Sequence, residues 1–137
     1  MLSNPTKPRF GGEHSPNKNT MIPLFKITIP ETHPSINDWV HWHYRKKGSE
    51  KTRWVEMIGW LCKGKKGIKG KALVRIDWYF GTKHRHDYDN YTPKFILDSL
   101  VYAGMIEDDS SDHIELDDHN FHYDKGNPHT EITITAL

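Results

Sequence analysis

Apolar residues recur along this chain with two periods, near 2 and near 3.6, and the switches between them mark its elements. Pro23 to Pro30 reads PLFKITIP, with Phe25, Ile27 and Ile29 on one side, which predicts a strand bounded by prolines. His33-Pro34-Ser35-Ile36-Asn37 is a turn-rich loop, and Trp39 to Lys47 is aromatic and basic without a clear period. Trp54, Val55, Ile58, Leu61 and Cys62 then fall at helical spacing, widened by Met57 and Trp60. With Ser49 as a cap and Gly64 as a stop, they predict a helix from about Glu50 to Lys63. Lys63 to Lys71 (KGKKGIKGK) reads as a flexible loop, too glycine-rich for a core element. Ala72 to Gly81 alternates Val74, Ile76, Trp78 and Phe80 against Leu73, Arg75, Asp77 and Tyr79, a second strand. Thr92 suits a cap and Pro93 a first helical residue, for a helix with the stripe Phe95, Ile96, Leu100 and Val101 that ends at Ala103-Gly104. His113 to Tyr123 and Thr130 to Ala136 are strand candidates, with Asp124-Lys125-Gly126-Asn127 as the turn between them. The order β, α, β, α, β, β predicts an α+β fold: a single domain with a mixed sheet and two main helices packed on it.

A length of 137 residues suits one domain with a real core. Residues 1–20, rich in Pro, Asn, Lys and Gly, read as a flexible arm without the apolar segment of a signal peptide, and residues 21–137 as the domain. No apolar run approaches the length of a membrane span, so no membrane partner is expected. The single cysteine, Cys62, excludes an internal disulfide, fits a cytoplasmic location, and reads as a buried helix residue.

The net charge of +1 conceals a division that changes the picture. Residues 1–86 carry 17 Lys/Arg against 6 Asp/Glu, and residues 87–137 carry 2 against 12. A basic half suits nucleic-acid phosphates and an acidic half suits a metal; the two halves can also simply pair within the fold. Trp39, Trp42 and Tyr44, interleaved with His41 and His43 and followed by Arg45, Lys46 and Lys47, form a candidate DNA surface, where aromatics stack and cations hold phosphate; the aromatics can equally serve a dimer or core contact. Lys63, Lys65, Lys66 and Lys69 of the glycine-rich loop, and Arg85, are further candidates. The ten histidines lack a tight four-ligand spacing for structural zinc.

The acidic half has internal order. Asp87 and Asp89, two apart at a strand end, point to one side. Lys94 falls in the first turn of the next helix and Asp98 one turn on, while Asp108 and Asp109 follow the helix by a short loop and are expected to return to its neighbourhood. Carboxylates gathered in this way repel, and a hard divalent cation relieves the repulsion. Mg²⁺ takes oxygen ligands and can promote phosphodiester hydrolysis. An EF-hand loop over Asp87 to Asp98 is excluded, because Thr92 stands where the loop needs glycine and the helix begins inside it.

The segment from Asp87 to Asp109, DYDNYTPKFILDSLVYAGMIEDD, resembles the signature of RusA-like Holliday-junction resolvases. That family shows an Asp-Xaa-Asp-Asn strand end, a helix with Lys and then Asp four residues later, a glycine, and an Asp-Asp pair. The ITIP strand followed by Pro34-Ser35-Ile36-Asn37 is similar to the family's opening. Pro93 fills one extra position between Asn90 and Lys94, and the Lys94-to-Asp98 spacing is intact. The resemblance implies catalytic residues Asp87, Asp89, Lys94 and Asp109. It also implies Mg²⁺, with Mn²⁺ able to substitute, on Asp87, Asp89 and Asp109, with Asp108 a further candidate ligand. It implies a homodimeric endodeoxyribonuclease that cuts branched DNA such as the four-way junction in recombination or repair, of a kind often encoded by phages and prophages. Two other functions fit the same residues: a non-catalytic protein that binds branched DNA, and a protein-interaction module that uses the acidic segment 107–118.

Overall fold

The computed structural model describes residues 23–83, 86 and 90–137. Four strands form one mixed sheet: β1 (Phe25–Ile29), β2 (Ala72–Phe80), β3 (Ile114–Tyr123) and β4 (His129–Ala136), in the order β1-β4-β2-β3. Among the described residues three helices accompany it: α1 (Ile36–Val40), α2 (Tyr44–Leu61) and α3 (Lys94–Tyr102). The fold is α+β in a single small domain, as the periodicities predict.

Strand alternation decides which face is buried. Ile27, Ile29, Val74, Ile76, Trp78, Phe80, Ile132 and Ile134 pack with Trp54 and Ile58 of α2 and with Ile96 and Leu100 of α3 into one core. The opposite face carries the other residues of the same strands, and it is polar. There Asp77 accepts two hydrogen bonds from Arg75, at 3.0 and 3.1 Å, and lies 2.7 Å from His122 Nε2. Burial pushes the Asp77 carboxyl up, but these partners outweigh it and hold it below the usual carboxylate range. The Tyr79 ring stacks between those of His122 and His129.

β2 and β3 run parallel, joined by α3, whereas β4 is antiparallel to both β1 and β2. β3 and β4 follow each other in sequence yet do not pair, because β2 lies between them. The turn at Asp124–Asn127 therefore crosses the end of β2, where Asp124 N donates to Phe80 O at 2.9 Å. Gly126 takes a φ of 69° there, a conformation that disfavours a side chain.

The molecule has two ends that matter for the site. β2 enters beside Ile68 and the turn before β3: Ile68 N donates to Met105 O and Ala72 N to His113 O, both at 2.9 Å. It leaves beside the loop after β1, where Trp78 reaches His33, and His86 stacks on Phe80. α3 runs back from the exit end to the entry end.

Three expectations need correction. The second helix begins at Tyr44, not near Glu50, and ends at Leu61; His43, not Ser49, caps it, its Nδ1 accepting from Arg45 N at 3.2 Å. The segment Trp39 to Lys47, which showed no period, is largely helical: it holds the end of the short α1 and the start of α2, so among the described residues α1 joins the two main helices, α2 and α3. The lysine loop is also less free than its composition suggests. Ile68 is buried, and a Cβ on Gly67 would stand 1.9 Å from Gly104 O, so the loop is pressed backbone to backbone against the α3 exit.

Candidate active site at the start of α3

α3 starts at Lys94, one residue later than Thr92 as cap and Pro93 as first helical residue predict: Pro93 itself takes the cap position, and its side chain makes no capping bond. Pro93 O accepts from Leu97 N at 2.8 Å, and Thr92 Oγ1 accepts from Lys94 N at 3.4 Å. The four-residue spacing then sets Lys94 and Asp98 side by side, Nζ 3.1 Å from Oδ1. Lys51 of α2 reaches the other oxygen of Asp98, at 3.8 Å. Asp98 is thus held between two lysines, and Lys94 remains largely exposed, 71% of its side chain open to solvent.

The loop before α1 is pinned to this end of the sheet. Ser35 caps α1, its Oγ accepting from Asp38 N at 3.2 Å. Asn37 N donates to Asn90 Oδ1 at 2.9 Å. That bond joins the segment 34–37 to the segment that leads into α3, across 53 residues of sequence.

Between them lies a cleft of about 220 Å³. Pro34, Ile36, Trp39, Phe95 and His33 line it, and Lys51, Lys94, Asp98 and Thr92 complete it. Trp39 is fixed edge-on to Phe95, ring centroids 4.7 Å apart. Behind the cleft His33 is buried among Trp54, Trp78, Tyr91 and Phe95. Trp78 Nε1 donates to His33 Nε2 at 3.0 Å, and an indole only donates, so the proton of the neutral ring sits on Nδ1, which faces Pro34 O at 3.0 Å.

Burial lowers the His33 pKa below its usual 6.5, and the bond to Pro34 opposes this only in part. Above that value neither the folded nor the unfolded chain is protonated at this residue. Below it the unfolded chain takes up a proton that the folded chain refuses, so stability falls as pH falls, by up to about 1.4 kcal/mol per pH unit for one proton. His33→Gln keeps an acceptor for Trp78 and cannot titrate. Urea unfolding between pH 7.5 and 5 is expected to show a steeper loss for the wild type than for His33→Gln. Parallel slopes would show that His33 is not held neutral.

The remaining predicted residues divide. Asp108 and Asp109 are exposed and lie beyond the far end of α3. The backbone N–H of Asp109 and the Ser110 hydroxyl hold the Asp108 carboxyl below its ordinary range, and His113, just before β3, lies 3.9 Å away. Gly70 N donates to Glu107 Oε1 at 2.9 Å, which ties the start of this acidic turn to the lysine loop. The pair therefore does not return to Lys94 within one chain, contrary to expectation: the nine residues of α3 alone separate its ends by roughly 12 Å.

Arg45, Lys46 and Lys47 occupy the first turn of α2 at the cleft end, with Lys46 Nζ 4.0 Å from the centre of the Trp42 ring and Lys47 Nζ 5.8 Å from that of Trp39. Lys63, Lys65, Lys66 and Lys69 are exposed at the opposite end. Asp87, Asp89 and Arg85 lie outside the described residues, although His86 and Asn90, their chain neighbours, are both at the cleft end.

Carboxylate oxygens are the donors that Mg²⁺ prefers. Among the described residues, however, no group of three His, Cys, Asp or Glu side chains could hold a metal ion.

Sequence reasoning missed Lys51, the Asn37–Asn90 bond and the buried His33. The residues of Pro34-Ser35-Ile36-Asn37 and Asn90 were in view as a pattern, but their contact is tertiary. Lys51 carries no local signal at all, since its partner lies on another helix. No protein-family model matches the chain, and no curated protein matches it. Among the described residues, no helix is long and apolar enough to cross a membrane.

Proposed function

We propose that the protein is a Mg²⁺-dependent endodeoxyribonuclease that cuts branched DNA, resolving four-way junctions as a homodimer in recombination or repair. One observation supports this reading most directly. The two stretches that carry the resemblance to RusA-like resolvases are held together by the Asn37–Asn90 bond, beside an exposed lysine backed by a carboxylate.

In this reading Lys94 stabilises the charge that develops on the phosphate during cleavage. Asp98, flanked by Lys51, keeps the Lys94 ammonium at the mouth of the cleft. Asp87, Asp89 and Asp109 would hold Mg²⁺, which when bound supplies Lewis-acid stabilisation of the reacting phosphate. Arg45, Lys46 and Lys47 extend the cationic surface along α2 for the DNA backbone.

The test is incubation with synthetic four-way junctions, flaps and linear duplex, with and without Mg²⁺. Cleavage of the junction that requires Mg²⁺ and spares linear duplex is expected. Tight junction binding without cleavage in Mg²⁺ or Mn²⁺ would leave a branched-DNA-binding protein, and no affinity for any of the three DNAs would remove both readings.

A further inference from the structure

From the cleft beside Lys94 we infer a receptor for a single unstacked nucleobase, which places one nucleotide of the substrate outside its helix. The inference rests on the nuclease reading for the identity of the polymer. Its physical case rests on the cleft itself. A cleft of about 220 Å³ has room for a group the size of one base.

The lining suits a flat heteroaromatic ring. Trp39, Phe95, Ile36 and Pro34 supply apolar walls, and the contact with Phe95 fixes the Trp39 ring in place. His33 forms part of the same wall, but both of its nitrogens are engaged with Trp78 and Pro34, so it offers a ring surface and no free polar atom.

The polar groups of the cleft fit the remainder of a nucleotide. Asp98 presents acceptors for the N–H groups of a base edge. Thr92 Oγ1 already accepts from Lys94 N, which leaves its hydroxyl hydrogen to donate. Two lysines against one carboxylate give the lining a net positive charge, complementary to the phosphate a base brings with it. Lys46 and Lys47 continue that charge past Trp42 and Trp39, a path for the strand on either side of the bound nucleotide. An apolar side chain of a protein partner would use the walls but none of these groups. At a branch point some bases are already poorly stacked, so drawing one out costs less there than in continuous duplex.

The experiment measures binding without cleavage, in Ca²⁺ or EDTA, to a four-way junction whose nucleotides near the branch are replaced one at a time by abasic residues. One position per symmetry-related strand is expected to weaken binding by about 5- to 100-fold, the range for loss of one base–aromatic stack. Trp39→Ala should lose a similar factor on intact DNA and become indifferent to the abasic substitution. Trp39→Phe, which keeps an aromatic wall, should retain most of the sensitivity. A flat abasic scan of the wild type overturns the inference, and so does a Trp39→Ala loss that simply multiplies with that of the abasic site. If Trp39→Ala does not fold, the wild-type scan and Ile36→Trp, which fills the cleft and should abolish the sensitivity, decide the matter. Cleavage with a flat scan sinks the base receptor alone, whereas a position-specific scan without cleavage in Mg²⁺ sinks the nuclease reading alone.

Discussion

Lys94→Ala is expected to lower turnover on a four-way junction by about 100-fold or more, the scale seen when one donor to a developing oxyanion is removed. The structure argues that such a loss would be chemical and not a consequence of misfolding. Lys94 is mostly exposed, and its contact with Asp98 is an i,i+4 pair of the kind that contributes only about 0.3–0.5 kcal/mol. Removing it leaves Asp98 with Lys51 as a remaining cation, so no carboxylate is stranded. The melting temperature should therefore move by little, and junction affinity should fall only modestly. Single-turnover rates set against binding constants separate the two effects. Equal losses in binding and rate would make Lys94 a phosphate-holding residue and remove it from the chemistry.

Much of this fold was legible because strand and helix periods are local properties. Val74, Ile76, Trp78 and Phe80 alternate in the sequence and are all buried on one face of β2, and β1, β3 and β4 lie within a residue or two of the segments expected to be strands. The start of α2 was not legible. Its first turns, Tyr44-Arg45-Lys46-Lys47-Gly48-Ser49, are exposed or only partly buried, so no apolar stripe announces them, and a histidine stands where Ser49 looked like the natural cap. The order of the sheet was not legible either. The turn at Asp124–Asn127 looks the same whether β3 and β4 pair or β2 lies between them.

For the site, spacing within a helix was readable and distance across the fold was not. Lys94 and Asp98 meet because they are four apart on one helix. Asp108 and Asp109 follow the helix closely in sequence, which suggested convergence, but a parallel β2–β3 pair requires α3 to carry the chain back along the sheet. They consequently emerge beside the start of β2, while the cleft stands where β2 ends.

That separation leads to the second large effect. Mg²⁺ takes oxygen ligands at about 2 Å, so Asp109 cannot share an ion with a group beside Lys94 of the same chain across the length of α3. If Asp109 belongs to the site with its loop placed as it is here, it comes from the other protomer of the proposed homodimer. A two-fold axis permits this, because an arrangement that brings one end of the first subunit to the opposite end of the second does the reverse as well, and forms two equivalent sites. Lys94→Ala and Asp109→Asn should each be nearly inactive alone. Co-expressed, they should recover about a quarter of wild-type activity: random pairing makes half the dimers mixed, and each mixed dimer has one site with both residues intact. A physical readout accompanies this one. With buried Cys62 changed to Ala, Asn90→Cys and Asp109→Cys chains mixed together should form a covalent dimer under a short bifunctional thiol reagent, and neither chain should do so alone. If Asp109→Asn is inactive and mixing restores nothing, both residues act within one chain, and the loop that carries Asp109 must move on binding DNA. If Asp109→Asn is fully active, Asp109 has no part in catalysis, and the carboxylates must be sought at the cleft end alone.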